Sequence, residues 1–331
     1  MLESAALLTA DTVGEYLGEL GILDSPHVFA RSLGGGVSNV VLEAQDGSRS
    51  VVVKQALPRL RVADDWFAPQ DRVMAEAAAL QLVARIAPGS VPQVLHRNPD
   101  LHALVLERAP DDWSDWKSLL LQGNVDPNVA ARLGVLLGQI QRKTWGVDLN
   151  IGSAEAFEAL RVDPYYRTAA TRSPDVARLL TELTGRMTAR RDCLVHGDFS
   201  PKNVLVGPAI GGIWLIDFEV AHIGDSRFDV AFLLSHLVLK AIHRPQNGDA
   251  YFSCASIFVE SYQETSGRTD LDVDTFMHLG ALLLARVRGK SPAEYLSAAE
   301  QNTAVRLALG LLRSPAVSVR ELLERCERAS R

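Results

Sequence analysis

Val195-His196-Gly197-Asp198-Phe199-Ser200-Pro201-Lys202-Asn203, followed a few residues later by Leu215-Ile216-Asp217-Phe218-Glu219, is the stretch that decides the reading of this chain. Asp198 and Asn203 stand five positions apart. Asp217 closes an apolar run, and a Gly211-Gly212 turn separates that run from Val204-Leu205-Val206. Transfer of a phosphoryl group needs a carboxylate to orient or deprotonate an acceptor hydroxyl, ligands for the magnesium that bridges the phosphates, and a cation on the phosphate oxygens. Asp198 is placed for the first task and Asn203 for metal binding. Asp217 is the natural main magnesium ligand, because hard divalent cations take oxygen ligands. Glu219 offers a further carboxylate, either on the metal or behind it. Taken singly, Asp198 could cap a turn and Asp217 could end a strand; the order Asp198, Asn203, Asp217 around a hairpin favours chemistry.

The bulk properties narrow the setting. The chain has 331 residues, 47% hydrophobic and 22% charged, which provides for an ample core and argues against disorder. A net charge of −6 with scattered Lys and Arg makes nucleic acid an unexpected partner. Cys193, Cys254 and Cys326 lie far apart without Cys-x-x-Cys spacing, so neither a zinc site nor a disulfide framework is expected, and a reducing cytoplasm is the simplest compartment. Met1-Leu2-Glu3-Ser4 carries no basic leader signal, and no apolar run reaches the roughly 18 to 20 residues needed to span a bilayer. A monomer or homodimer free of membrane is expected.

Along the chain, Val13, Tyr16, Leu17 and Leu20 predict an opening helix over 10–21. From Val28 to Leu106 come short Val- and Leu-rich runs, with Asp46-Gly47 between Val40-Val41-Leu42 and Val51-Val52-Val53 as a hairpin turn. An antiparallel sheet is expected there, interrupted by a helix from Gln70 to Ile86 and ending in a strand from His102 to Glu107. Beyond Pro110 the pattern turns helical. Asp126-Pro127 and Ser173-Pro174 read as helix openings, and 227–243, 249–264, 271–287 and 292–312 keep helical periodicity. No internal repeat is visible.

The loop spacing matches that of kinases, with Gly197 where protein kinases carry Arg. From His196 to Leu234 the chain resembles the aminoglycoside phosphotransferase and choline kinase superfamily, whose later element is matched by Gly224-Asp225-Ser226-Arg227-Phe228-Asp229-Val230-Ala231. Asp217-Phe218-Glu219 looks like the Asp-x-Glu of choline kinases and methylthioribose kinases. Val53-Lys54-Gln55-Ala56-Leu57-Pro58, then Arg61-Val62, Trp66, Arg72 and Glu76-Ala77, is similar to methylthioribose kinases. The resemblance implies an α+β, bilobal protein-kinase-like fold: a small antiparallel-sheet nucleotide-binding lobe over 1–108 and a larger, mainly helical catalytic lobe over 109–331. It implies ATP and magnesium as cofactors, Lys54 on the phosphates, Glu76 as its ion-pair partner, and Asp229 as a buried brace of the catalytic loop. Gly34-Gly35-Gly36-Val37-Ser38-Asn39 then reads as the loop covering the phosphates, since Gly lets backbone amides approach phosphate oxygens. Glu107, in the hinge strand, is expected to meet adenine through its backbone.

The acceptor is less defined. The short stretch from Asp217 to Asp229 leaves no segment for docking a peptide. Arg286 and Arg288, followed by Gly289-Lys290, resemble the paired arginines with which methylthioribose kinases hold their sugar; helix-terminal cations favoured by the dipole are the alternative. Trp113 and Trp116 beside Asp111, Asp112 and Asp115 suit an amine-bearing acceptor or pack the lobe junction. The expectation is an ATP-dependent kinase of a small hydroxylated metabolite, foremost a methylthioribose-like sugar. Choline or ethanolamine-type kinases, antibiotic-modifying kinases and a catalytically inactive nucleotide-binding regulator are the alternatives.

Overall fold

The computed structural model describes residues 7–23, 28–34, 36–47, 49–61, 66–208, 212–268 and 271–330. Met1-Leu2-Glu3-Ser4, Gly35, Val62 and Gly211 lie outside the described residues. The N-terminal region runs α1 (Val13–Glu19), β1 (Phe29–Ser32), β2 (Asn39–Gln45), β3 (Ser50–Ala56), α2 (Arg72–Ile86), β4 (Val94–Asn98) and β5 (Ala103–Glu107). Its five strands form one antiparallel sheet in the order β1-β2-β3-β5-β4. Asp46-Gly47 turns the β2–β3 hairpin: Gly47 takes φ +90°, and the Asp46 carboxylate accepts from Arg49 N at 2.9 Å. That hairpin sets the register that puts Lys54 between Val41 and Leu104 at the centre of the sheet.

The rest is mainly helical: β6 (Ser114–Asp115), α3 (Trp116–Gln122), α4 (Pro127–Thr144), α5 (Ala154–Phe157), a π-helical segment Glu158–Arg167, α6 (Thr168–Thr171) and α7 (Ala177–Ala189) lead to the catalytic stretch. There β7 (Cys193–Val195), β8 (Val204–Val206), β9 (Ile213–Leu215) and β10 (His222–Gly224) form two small sheets, in which β8 pairs β6 and β9, and β7 pairs β10. Helices α8 (Arg227–His243), α9 (Gly248–Ser266), α10 (Val273–Arg288), α11 (Ala298–Arg313) and α12 (Val319–Ser330) complete the chain. Asp126 caps α4 by accepting from Asn128 N, as its sequence signals. Ser173-Pro174 does not open a helix directly; α7 starts at Ala177 with Val176 as N-cap, and Ser173 is buried, accepting from Arg288. The region expected helical from 292 begins at Ala298, where Ser297 and Glu300 form a reciprocal capping box.

Two packing features position the site. The face of α8 turned inward is not a stripe: from Phe228 to Ile242 every residue is buried, as expected of a helix apolar almost all round. Helix α4 lies unusually close to α9, because a Cβ at Gly134 would stand 2.4 Å from Phe258 O and one at Gly138 2.8 Å from Thr265 Cβ. Gly134→Ala forces the two helices apart and should cost about 1–3 kcal/mol by overpacking, read as a lower urea midpoint with unchanged slope.

Candidate active site

The catalytic loop is held from behind. Asp229, fully buried near the start of α8, accepts from His196 N at 2.7 Å and from Gly197 N at 3.0 Å, one amide per carboxylate oxygen. Gly197 takes φ +77°, and a Cβ there would lie 2.7 Å from Val220 O, so both conformation and space demand glycine. His196 receives the Asp198 N–H on Nδ1 at 3.0 Å and meets Ile216 O through Nε2 at 3.1 Å, which requires the neutral imidazole with its proton on Nε2. Burial pushes its pKa down to about 4, and burial does the same to His222. Both rings bind protons more readily in the unfolded chain, near pH 6.5. Their contribution is therefore intact above that pH and is lost as pH falls towards 4. At pH 5 each should have forfeited about 2 kcal/mol, so urea midpoints should drop sharply between pH 7 and pH 5.

Asp198 is also buried, and two cations hold it: Arg161 Nη2 at 2.8 Å and Lys202 Nζ at 2.9 Å, both on Oδ2. Arg161 is itself fixed, donating to Gly197 O at 2.7 Å and Leu160 O at 2.6 Å from the π-helical segment. Burial alone would raise the Asp198 pKa, but Arg161 and Lys202 outweigh it and the net shift is downward. The carboxylate is thus ionised, and both cations approach it on Oδ2. Asn203 donates through Nδ2 to Asp198 O at 3.0 Å, so its Oδ1 is the atom that could ligate a metal. Sequence reasoning passed over Arg161 and Lys202. Lys202 stood in the quoted loop and was readable there; Arg161, 37 positions earlier (198 − 161), gave no signal.

Across the cleft, Lys54 Nζ lies 2.7 Å from Glu76 Oε2 and also pairs with Asp217 Oδ1. One ammonium therefore serves two carboxylates. The more deeply buried Glu76 bears the deficit: burial, only partly offset by Lys54, pushes its pKa up to about 7. Asp217 shifts down despite its burial, through Lys54 and Lys202. Asp217 also sits at φ +69°, a left-handed conformation that costs a non-glycine residue energy and is commonest at functional sites. Asp217 thus presents an ionised carboxylate, the hard oxygen donor that a divalent cation takes. Asp217 and the Asn203 oxygen therefore fit a magnesium ion of the kind that takes one or two protein ligands and completes its shell with phosphates and water. No group of three or more His, Cys, Asp or Glu suited to a metal occurs among the described residues, so no all-protein metal cage is present there.

Glu219 is differently occupied. Its Oε1 accepts from Ser38 Oγ at 2.7 Å, and its Oε2 accepts from Asn39 Nδ2 at 2.8 Å and from Arg72 Nε at 3.1 Å. Arg72 is buried and spends its remaining donors on the carbonyls of Ser38, Leu57, Ala68 and Pro69. Glu219 is thus a tie between the Asp217 turn and the loop before β2. Ser38 and Asn39, expected to face phosphate, supply that tie. Gly34 and Gly36 are exposed, have no positive φ, and would meet nothing on gaining a Cβ. The fold does not require glycine there, which agrees with a loop whose backbone must approach a ligand. The Glu107 N–H, expected to meet adenine, goes to Gln93 O at 2.9 Å, and its side chain accepts from Gln93 N.

On the acceptor side, Arg286 and Arg288 diverge. Arg288 donates to Ser173 Oγ at 2.9 Å, whereas Arg286 donates through Nη1 to Ser291 and keeps a buried Nε without a partner. Trp113 meets Trp214 in a tilted contact, ring centroids 5.3 Å apart, and covers Gly207 and Gly212, while Trp116 is buried in the main core. The two indoles pack the junction and form no open cage for an amine. A cavity of about 930 Å³ lined by Ile151, Phe157, Met187, Arg191 and His222 contains none of these residues.

Residues 30–255 match the model of the phosphotransferase enzyme family. A methylthioribose kinase of Pectobacterium atrosepticum is 32% identical over 267 residues, covering 70% of this chain and 65% of that protein. One of Bacillus cereus is 26% identical over 291 residues, covering 77% and 73%. The chain thus spans just under two thirds of the length of the Pectobacterium relative. Among solved structures, a spectinomycin phosphotransferase in complex with ADP and spectinomycin superposes with TM-score 0.58 at 13% identity, over 98% of this chain and all of that one. A choline kinase from Streptococcus pneumoniae does so with TM-score 0.50 at 16% identity, over 92% and 98%. These two carry the kinase-like fold. With the family model matched over more than half its length, the chain belongs to the phosphotransferase enzyme family.

Proposed function

We propose that this chain is a kinase that moves the γ-phosphoryl group of ATP to a hydroxyl of a small, sugar-like metabolite. The observation that carries the reading is Asp198: ionised, braced through its loop by Asp229 and clamped on Oδ2. An acceptor hydroxyl donates to Oδ1, which orients its oxygen for in-line attack and takes up the proton as the phosphoryl group transfers. With its pKa lowered, Asp198 is a weak base, which suits a loose transition state in which the proton leaves late. Lys54 steadies phosphate oxygens from its place between Glu76 and Asp217, and Lys202 lies ready to meet charge developing on the transferred group. Asp217 and Asn203 would hold magnesium, which would supply positive charge against the phosphate oxygens. Catalysis comes mainly from positioning and fixed charge. The match to methylthioribose kinases makes that sugar the first acceptor to try.

The test is a coupled ADP-release assay with ATP and magnesium over methylthioribose, other sugars, choline, ethanolamine, homoserine and aminoglycosides. Turnover of a hydroxylated acceptor that vanishes with excess EDTA is expected. An enzyme that neither transfers to any acceptor nor hydrolyses ATP would be a nucleotide-binding regulator instead.

A further inference from the structure

We propose that the phosphoryl acceptor carries an anionic group, a carboxylate or a phosphate, received by Lys240, Arg286 and the Tyr295 hydroxyl beside the catalytic loop. The inference rests on the kinase reading and narrows its substrate to an acidic, hydroxylated small molecule.

Lys240, on α8, is fully buried, yet among the described residues no carboxylate pairs with it. Among the described residues its ammonium donates to the His236 carbonyl alone, at 3.5 Å, and lies over the Tyr295 ring, 5.7 Å from its centre, a weak cation–π contact. Two further buried polar atoms nearby lack partners: the Tyr295 hydroxyl and Arg286 Nε. A buried unpaired ammonium is costly, and leaving hydrogen-bonding groups unpaired beside it adds to that cost. Such a cluster is accounted for when a ligand brings the missing acceptors and charge.

The surroundings are cationic. Arg286 of α10 and Lys117 of α3 bear on Lys240, and Arg286, Lys202 and Lys117 bear on the neighbouring His236. Asp115 is the acid that bears on Lys240, but both its oxygens cap α3, accepting from Ser118 N and Ser118 Oγ. From α9, Tyr251 donates to Leu120 O; from α11, Glu300 is engaged by His243 and Ser297. Burial, with Arg286 and Lys117 adding to it, pushes the Lys240 pKa down to about 7. The cluster also adjoins the reacting centre. Tyr165, in the π-helical segment, feels Arg286 together with Arg161, Asp198 and Lys202, and its ring lies 5.8 Å from the Arg161 guanidinium carbon. An ammonium-bearing acceptor would be repelled here, and a neutral sugar would leave the positive charge uncompensated.

The test compares D-ribose, D-ribonate, D-ribose 5-phosphate and choline as acceptors with ATP and magnesium. One of the two anions should exceed ribose and choline at least tenfold in kcat/KM; ribonate in the lead identifies a carboxylate, ribose 5-phosphate a phosphate. Lys240→Met and Arg286→Met should each erase most of that preference through the acceptor KM. Lys240→Met should also raise Tm, because it removes a buried charge at nearly constant shape. Equal or better use of ribose or choline, an anion preference that survives Lys240→Met, or a lower Tm for that variant overturns the inference. Failure of the kinase reading looks different: no compound is phosphorylated. Calorimetric binding of the same compounds to the full chain then decides. Ribonate or ribose 5-phosphate binding at least tenfold tighter than ribose, with proton uptake at pH 8 as Lys240 regains its charge, supports the anion site. Equal or absent binding overturns it.

Discussion

Asp198→Asn should lower kcat by roughly a thousandfold, the middle of the range for loss of a positioned general base. Nucleotide affinity should stay within about twofold of wild type. The amide keeps the shape and can still accept from Arg161, but it lacks the charge that draws a hydroxyl proton. The variant also leaves Arg161, buried and fixed by two backbone carbonyls, without its counter-ion. Some loss of stability is therefore expected, and far-UV circular dichroism must accompany the kinetics. Steady-state rates and ADP binding by calorimetry separate the two effects. Turnover near the wild-type level would remove Asp198 from the mechanism.

Lys54→Met should be nearly as damaging, for two separable reasons. The phosphates lose their cation, and Glu76 and Asp217 are left facing each other with no ammonium between them. Removing one member of a buried pair costs about 3–5 kcal/mol. Glu76, already shifted upward, can escape by taking a proton. The stability penalty should therefore shrink as the medium is acidified from pH 8 to pH 6, against the histidine trend, which begins below about pH 6.5. Adding Glu76→Gln should recover most of the lost stability and none of the lost turnover. A double variant as unstable as Lys54→Met alone would mean that the two side chains are not coupled in this way.

Much of this was legible because some residue choices have a single local reason. Asp46-Gly47 announced its hairpin, Asp126-Pro127 its helix, and Asp198, Asn203 and Asp217 their loop, since spacing within a few residues survives folding unchanged. The elements that escaped depend on partners distant in the chain. Arg161 reaches Asp198 from a π-helical segment that contains Pro164, and neither the segment nor the contact is signalled locally. Glu219 reads in sequence as a carboxylate on the metal or behind it, and that Ser38, Asn39 and Arg72, roughly 150 to 180 positions away, engage its oxygens is not visible there. For Trp113 and Trp116 the sequence left an amine site and junction packing open, because the contact of Trp113 with Trp214 and the burial of Trp116 in the core are invisible in one dimension.

Helix α8 carries Asp229 in its first turn and Lys240 near its last, so a single rigid rod fixes the spacing between the brace of the catalytic loop and the buried ammonium. Eleven residues of α-helix (240 − 229) amount to roughly 16 Å, and a helix packed on nearly every side does not stretch. With the anion site proposed above, that fixed spacing would act as a ruler. Acceptors would be sorted by the reach from reactive hydroxyl to far end, and a homologue one carbon longer or shorter would be penalised in its rate of transfer even where it binds well.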